Sequence, residues 1–386
     1  MVSIQQMVHR SKLFLLTIAL LLFSAMHVGA EVPEAEELFQ RMAKSFRTVD
    51  FKGRFTFMFQ SPEGNQMREA MMIRRAPNKI RIESLWPAED RGTVMVTDGK
   101  ERWHIRGEKD RERMRGRRPF LPPNRMGESL LKEARLLLKN YSVRVFEGGQ
   151  VANRSTYLVD VEPEEQVRPS AKIWVDIETS TILKVEHYDS ERRLKDLLVY
   201  SKIDFHPEID EAIFQKPEGI RTDRGPGGGR GREEIWNSEQ GKLDLGEIRK
   251  VAQLDVVVPK RELVGFALQN IHIIKFGERK NVQLSYTDGL AMLSVFQSSS
   301  GGGGRGGGRG GLFGRGRREG KREEMPPWRG GKAEKIDIRG TECEIISRGP
   351  MSIFRWNHNG VYITLMGELG RKEMIKIVGS FINNGE

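Results

Sequence analysis

Cysteine is nearly absent from this chain, and its scarcity limits how the fold can be stabilised. Cys343 is the single cysteine among 386 residues, so no intramolecular disulfide can form in any compartment. The stretch around Cys343 alternates apolar and polar residues, which favours a buried, inert thiol over a reactive one. The fold is therefore expected to depend on its hydrophobic core.

The sequence also lacks the spacings that metal sites and common catalytic sites need. None of the seven histidines lies three or four residues from another, and no cysteine pair exists to complete a zinc site. There is no Gly-x-Ser-x-Gly elbow, no Walker A motif and no glycine-rich turn between a predicted strand and a predicted helix. These absences predict a binding protein rather than an enzyme, with no catalytic residues, no metal and no cofactor.

Long apolar runs are missing except near the N-terminus. Arg10 and Lys12 precede an apolar run over residues 13–23, and Val28-Gly29-Ala30 offers small residues to a signal peptidase. The run is too short to span a bilayer comfortably. Residues 1–30 are therefore predicted to be a signal peptide cleaved after Ala30, and the chain is expected to be exported.

Aromatic residues alternate along the first strand predicted in the sequence. Three phenylalanines share one face of the segment 53–60, and apolar residues of the next strand are expected to lie opposite them. The candidates for the wall of an apolar ligand cavity are Phe55, Phe57, Phe59, Met71, Ile73, Trp86, Trp103 and Trp174. The pattern favours an ordinary core under the helices, but it also fits a cavity for an acyl chain, because a concave sheet can be partly filled and partly open.

Short connections between the predicted strands indicate two antiparallel, α+β domains. Residues 31–218 are predicted to form helices laid on a curved sheet. Residues 219–245 are rich in glycine and arginine and are predicted to be a linker, because they cannot bury enough apolar area to order themselves. Residues 246–386 are predicted to form a smaller sheet closed by a helix at 371–382, with a disordered Gly/Arg insert at 298–333.

The Gly/Arg insert carries much of the positive charge of the chain. Residues 301–332 contain nine cationic and three acidic side chains, a net +6 of the total +11. Such Arg-Gly-Gly repeats suggest RNA binding in a cytoplasmic protein. An exported protein is not expected to meet nucleic acid, so an anionic envelope surface is the expected partner. A flexible loop with no partner explains the composition equally well.

Two segments carry motifs that resemble one known family. VANRSTYLV at 151–159, KIWVDIET at 172–179 and ILKVE at 182–186 match a turn, a strand reading W-x-D-x-x-T and a following strand. QLSYTDGLAMLSVF at 283–296 matches a hairpin reading Y-S-D-G-L, and the strand and helix from residue 361 match the family's closing elements. In order and spacing, the chain resembles the RseB/MucB family of periplasmic regulators of the sigma-E envelope-stress response.

The resemblance implies both a fold and a function. The implied fold is a half-open antiparallel β-barrel capped by helices, shared with the lipoprotein carriers LolA and LolB, followed by a smaller sheet-and-helix domain. The implied partners are a membrane anti-sigma factor similar to RseA or MucA and a lipid or lipoprotein acyl chain that displaces it, in the periplasm. The chain departs from the family at Asn153, where glycine is usual, in its Gly/Arg-rich linker, and in the insert at 298–333.

Two other functions remain open at this point. A LolA-like carrier of lipoproteins or lipids needs the same cavity but no anti-sigma partner, and the large second domain argues against it. An envelope adhesin or scaffold needs only the basic insert, acting on anionic glycolipid.

Overall fold

The computed structural model describes most of both predicted domains. The described residues are 32–61, 64–105, 129–164, 167–220, 232–238, 244–259, 263, 265–276, 279–299, 333–348 and 351–382. The predicted signal peptide and nearly all of the predicted insert at 298–333 lie outside these residues.

The first domain consists of a long antiparallel sheet, two helices and a short 3-10 helix. In chain order its elements are α1 (Ala35–Thr48), β1 (Phe51–Ser61), β2 (Gly64–Arg75), β3 (Lys79–Trp86), β4 (Val94–Thr97), β5 (Arg102–Ile105), α2 (Ser129–Asn140), β6 (Tyr141–Val151), β7 (Arg154–Pro163), β8 (Ser170–Asp176), β9 (Ile182–Tyr188), β10 (Leu194–Asp204) and a 3-10 helix (Glu211–Phe214).

The ten strands form one sheet in the order β5-β4-β3-β2-β1-β10-β9-β8-β7-β6. Neighbouring strands are antiparallel throughout, and the long connection from β5 to α2 separates two meanders that meet where β1 pairs with β10. Within the described residues β5 and β6 are unpaired on their outer sides, so the sheet is curved but not closed. The prediction of a half-open, helix-covered antiparallel barrel is confirmed.

Both faces of this sheet carry apolar clusters. On the concave face, Leu38, Phe39 and Met42 of α1 pack with two residues of α2 against β6, β7 and β8. A neighbouring cluster on the same face is built around Phe55 and Tyr200. A third cluster lies on the convex face, where Val94, Val96, Trp103 and Phe214 pack together. Each fully buried side chain of this kind contributes about 1.5–3 kcal/mol to stability.

The second domain is a smaller sheet with two helices. Its elements are β11 (Arg232–Ser238), α3 (Leu245–Ala252), β12 (Ala267–Phe276), β13 (Arg279–Thr287), β14 (Met292–Ser298), β15 (Glu334–Ile338), β16 (Thr341–Arg348), β17 (Met351–His358), β18 (Val361–Gly367) and α4 (Arg371–Phe381). The strand order is β11-β12-β13-β14-β18-β17-β16-β15. The predicted sheet-and-helix architecture is confirmed.

One part of the predicted linker does not behave as a linker. Residues 232–238, inside the range 219–245, form the edge strand β11, which pairs with β12 from Arg232 opposite Phe276 to Ser238 opposite Ile271. An edge strand gains its backbone hydrogen bonds from the neighbouring strand and needs no apolar run of its own. The compositional prediction was wrong for this segment because it counted only apolar burial.

Helices α3 and α4 cover the core of the second domain. Ile248 of α3 and Met374, Val378 and Phe381 of α4 belong to one buried cluster with the sheet. Cys343 is fully buried in the same cluster. Burial, with a smaller effect from Asp337, raises the pKa of Cys343 to about 11, so its thiol is protonated at neutral pH. The described helices include none that is long and apolar enough to cross a membrane.

Candidate functional site

A mostly apolar cavity lies on the concave face of the first domain, under the C-terminal half of α1. Its internal volume is about 110 Å³. The walls come from α1, from β1, β2 and β3 on one side, and from the β8–β9 turn, β9 and β10 on the other. The lining residues are Met42, Ser45, Phe46, Phe51, Phe57, Met72, Arg74, Ile80, Ser180, Thr181, Ile182, Val185, His187, Asp196, Leu198 and Tyr200.

The size of the cavity limits what it can hold. An engineered apolar cavity of about 150 Å³ admits a benzene molecule, so this cavity holds a ligand portion of similar size. Its volume matches part of one alkyl chain, and any larger ligand would extend beyond the opening. Phe57, His187 and Asp196 are half-buried, whereas Arg74 and Tyr200 are buried. The His187 side is therefore the open end, and the Arg74 side is the deep end.

The polar groups in the wall are mostly paired with each other. The hydroxyls of Ser45 and Thr181 lie 2.9 Å apart, which joins α1 to the β8–β9 turn. His187 Nδ1 lies 2.6 Å from Asp196 Oδ1 at the open end. These pairs satisfy most of the hydrogen-bonding capacity of the wall and leave its surface largely apolar.

Arg74 is the exception, because its guanidinium is buried and no carboxylate of the described residues pairs with it. The side chain is 4% exposed, and its Cζ lies 4.0 Å from the centroid of the Phe46 ring. Nη2 donates a long hydrogen bond of 3.3 Å to the Pro77 carbonyl, and Nε has no hydrogen-bond partner. Burial lowers the pKa of Arg74 to about 10, against smaller opposing effects of Tyr200 and Asp50. Arg74 is therefore still cationic at neutral pH.

The turn that carries Ser180 and Thr181 is fixed by Asp176. Its carboxylate accepts hydrogen bonds from Arg154 Nε at 2.7 Å and from the Thr179 amide, also at 2.7 Å. Burial alone raises the pKa of Asp176, but these hydrogen bonds outweigh it and hold the pKa below its ordinary value. The W-V-D-I-E-T motif therefore positions one wall of the cavity.

The turn before Arg154 explains the departure at Asn153. Ala152 and Asn153 have φ angles of 52° and 60°, which lie in the left-handed region. Glycine is the usual choice there, and asparagine is the side chain that tolerates this region best. The hairpin that presents Arg154 to Asp176 therefore forms without a glycine.

The predicted phenylalanine row lies on the concave face, but one of its three members lines the cavity. Phe57 is a wall residue. Phe55 is fully buried, with its ring centroid 5.6 Å from that of Tyr200. Phe59 stacks on Phe57 at 5.4 Å, toward the open end. The row is therefore mainly core, as the sequence pattern favoured.

Five other predicted wall residues do not border the cavity. Met71 and Ile73 lie on the convex face, because Phe55 pairs with Ala70 and thereby puts Ala70, Met72 and Arg74 on the concave side. Ile73 and Trp103 belong to the convex-face cluster. Trp86 is 42% exposed at the end of β3. Trp174 alternates with the concave-face residues Ile173 and Val175 and packs under Lys184, whose Nζ lies 4.0 Å from the ring centroid. These five residues therefore lie outside the cavity wall, contrary to the prediction from sequence.

A second polar site joins the two domains. Asp288, in the turn between β13 and β14, is fully buried. Its Oδ2 accepts hydrogen bonds from the Tyr141 hydroxyl at 2.8 Å and from Arg168 Nη1 at 3.2 Å, both in the first domain. Its Oδ1 accepts hydrogen bonds from the Leu290 and Ala291 amides. Burial raises the pKa of the Asp288 carboxyl, although all four donors act in the opposite direction.

Further contacts surround Asp288 at this domain interface. Asn140 Nδ2 donates to the carbonyls of Gly265 at 2.7 Å and of Asp288 at 2.9 Å. Leu290 packs on the cluster beneath α1 and α2. At the periphery, Lys195 forms an ion pair with Glu368. The Asp288 turn is therefore docked into the first domain through both hydrogen bonds and apolar contacts.

The geometry by itself indicates a class of protein. An open sheet with a helix-covered apolar cavity, docked through a buried polar cluster to a second domain, is an arrangement typical of two-domain binding proteins. In the described residues, no group of three or more His, Cys, Asp or Glu side chains is arranged to hold a metal ion.

Comparison with known proteins assigns the family. Residues 34–217 match the model of the MucB/RseB N-terminal domain, and the chain belongs to the RseB/MucB family. Residues 325–380 match a domain of unknown function, DUF4367. A search of curated proteins found no match.

Two solved MucB structures share the two-domain fold. The crystal structure of MucB in complex with MucA(peri) has a TM-score of 0.52 at 15% identity, over 92% of this chain and 100% of that chain. The complex structure of Pseudomonas aeruginosa MucA/MucB has a TM-score of 0.53 at 15% identity, with the same coverage. A LolA superfamily protein from Nitrosomonas europaea covers 48% of this chain, with a TM-score of 0.24 at 13% identity. The two MucB structures therefore support the arrangement of both domains.

Proposed function

We propose that this chain is a periplasmic regulator that binds the periplasmic part of a membrane anti-sigma factor and senses a lipid or lipoprotein in its apolar cavity. The observation that carries the proposal is the RseB/MucB N-terminal domain at 34–217, joined to a second domain as in the MucB structures. In those structures MucB is in complex with MucA, and we extend that partnership to an anti-sigma factor of the RseA/MucA kind.

The cavity supports the ligand half of the proposal. It is apolar, it lies under a helix rather than inside a closed core, and it has an open end beside His187. Ligand sites are typically concave, apolar and furnished with a few polar groups that fix orientation. In this proposal, ligand in the cavity and anti-sigma factor on the protein compete through two bound states of different affinity.

The test uses the full chain and the periplasmic part of a single-span anti-sigma factor from the same genome. We expect binding in a biolayer interferometry assay, and we expect an alkyl ligand to weaken it. Leu198→Trp fills the cavity and is expected to abolish the ligand effect while partner binding remains. Leu197→Trp is the matched control, because Leu197 pairs with Met58 on the opposite face of β10.

Two outcomes separate the proposed function from the carrier alternative. If no anti-sigma factor binds and lipoproteins are captured, the regulator proposal is wrong and the LolA-like carrier is supported. If the partner binds but alkyl ligands do not change its affinity, the regulatory switch is wrong while the partnership stands.

The basic insert supports an additional contact with anionic envelope surface. Residues 301–332 carry a net +6 in sequence, enough for salt-dependent attraction to anionic lipid. Deleting these residues is expected to remove binding of the full chain to vesicles containing phosphatidylglycerol at low salt. Unchanged vesicle binding after the deletion would contradict this contact.

A further inference from the structure

One wall residue of the cavity, Arg74, is a buried cation. Among the described residues no carboxylate forms an ion pair with Arg74. The nearby Asp50 accepts hydrogen bonds instead from Arg75 Nη1 at 2.8 Å and from the Ala76 amide at 2.7 Å. Asp196, the carboxylate in the cavity wall, is bonded to His187. The acids closest to the cavity are therefore already engaged.

Leaving a guanidinium in this state is costly. A buried charge is normally paired or fully hydrogen-bonded, since its desolvation is not otherwise compensated. The contact with Phe46 and the long bond to the Pro77 carbonyl offset only part of that cost. The same desolvation penalty lowers the pKa of Arg74 to about 10. An anion bound beside Arg74 would restore the electrostatic interactions that the guanidinium loses on burial.

The arrangement of the cavity gives the direction in which such an anion enters. Arg74 lies at the deep end, beside the buried residues Phe51 and Tyr200, and the half-buried Phe57 and His187 lie at the open end. A ligand that reaches Arg74 must pass the apolar wall with its charged group leading. An alkyl tail inserted alone leaves the guanidinium unpaired.

We propose that Arg74 is the anion-binding residue of this cavity and that its ligand is a fatty carboxylate, held with the carboxylate at Arg74 and the alkyl chain along Phe57 and Leu198. The inference rests on the proposed lipid-binding role of the cavity and names the chemical class of the ligand.

A carboxylate fits the site better than a phosphate. The planar guanidinium matches two carboxylate oxygens in a bidentate geometry. A phosphate monoester brings up to two charges and a third oxygen. The donors at the deep end are Arg74 and the Tyr200 hydroxyl, which donates to Met72 Sδ at 3.4 Å. Tyr200 remains protonated because burial raises the pKa of its hydroxyl. A singly charged group therefore costs less to desolvate and leaves fewer unsatisfied oxygens.

Isothermal titration calorimetry of the full chain tests the proposal with three probes of equal chain length: octanoate, octanol and octyl phosphate. We expect octanoate to bind about tenfold or more tightly than octanol, since the pair at Arg74 is charge-assisted and desolvated. Octyl phosphate is expected to bind more weakly than octanoate.

Two substitutions test whether the preference for octanoate depends on Arg74. Arg74→Met keeps an unbranched side chain of similar length, and it is expected to bring the octanoate and octanol affinities within about twofold of each other. Arg54→Met is the control, because Arg54 lies on the face of β1 opposite the cavity and pairs there with Glu69. Its octanoate preference is expected to match that of the wild type. Arg74→Met is also expected to fold with an unchanged or higher Tm, since it removes an unpaired buried charge.

Each contrary result has a separate meaning. Equal binding of octanoate and octanol by the wild type would overturn the role of Arg74 and leave the apolar cavity standing. A preference for octyl phosphate that depends on Arg74 would overturn the carboxylate assignment. A preference for octanoate that survives in Arg74→Met would also overturn the proposal. Failure of all three probes to bind would refute lipid binding by this cavity as well.

Discussion

The hydrogen bond between Tyr141 and Asp288 offers the sharpest test of how the two domains are joined. Tyr141→Phe removes a single hydroxyl at the interface and keeps the ring in its apolar cluster. Hydrogen bonds to charged groups contribute about 1.5–3 kcal/mol. Asp288 retains three other donors in the variant, so the expected loss is at the lower end, about 1.5–2 kcal/mol in the free energy of unfolding.

Asp288→Ala is a more severe change at the same site. It leaves the Tyr141 hydroxyl, Arg168 and two amides without their acceptor, and removing one member of a buried charged cluster costs about 3–5 kcal/mol. Each domain has its own apolar cluster. We therefore expect calorimetry to show separate unfolding transitions for the two domains of this variant and a single transition for the wild type.

The assay compares urea unfolding of the wild type, Tyr141→Phe and a matched control. Tyr188→Phe is the control, because the Tyr188 hydroxyl donates to Glu186 within the first domain and is half-exposed. The control is expected to lose less than about 1 kcal/mol. If Tyr141→Phe changes stability by less than about 0.5 kcal/mol, and Asp288→Ala still unfolds in one transition, the docking role assigned to Asp288 is refuted.

Three further predictions concern residues that support the two sites. Asp176→Asn is expected to lower the free energy of unfolding by about 2–3 kcal/mol at pH 7. Because the pKa of Asp176 is lowered in the folded state, the difference from the wild type in urea unfolding should shrink as the pH falls below about 4. Gly289→Ala is expected to lower the free energy of unfolding by about 1–3 kcal/mol and to weaken the contact between the domains, because φ is +107° and the added Cβ lies 2.7 Å from the Leu137 amide nitrogen. Limited proteolysis between the domains measures this change, and protection equal to that of the wild type would contradict it. Lys195→Met is expected to cost under about 1 kcal/mol in the same unfolding assay, because its pair with Glu368 is partly exposed.

The antiparallel architecture could be predicted because each helix and most strands have an amphipathic period. The face of β2 could also have been predicted. Ser61 pairs with Gly64 across a two-residue connection, and this register places Ala70 opposite Phe55. A shift of one residue moves every side chain of a strand to the other face. The prediction assigned no register between these two strands, so Met71 and Ile73 were placed on the wrong side.

Residue types alone could not show that Met71 and Ile73 face away from the cavity, because apolar clusters cover both faces of this part of the sheet. Ile73 is apolar on account of the convex-face cluster with Trp103 and Phe214, so apolar character did not distinguish the two faces. Arg74 could not have been recognised from sequence, since an arginine in a strand normally indicates a solvent-facing position. The role of Asp288 was equally hidden, because Asp-Gly in a hairpin indicates turn chemistry and says nothing about a second domain.

Helix α1 provides a physical connection between the cavity and the domain interface. Met42 belongs both to the cavity wall and to the cluster beneath α1 and α2, and Leu290 of the second domain packs on that same cluster. Ser45 ties the helix to the β8–β9 turn. A ligand that displaces Met42 therefore alters the cluster on which Leu290 of the second domain packs. A tenfold change in partner affinity requires about 1.4 kcal/mol, which is no more than the expected contribution of the Tyr141–Asp288 hydrogen bond. The proposed switch therefore requires no more energy than one interfacial hydrogen bond contributes, and it does not require either domain to unfold.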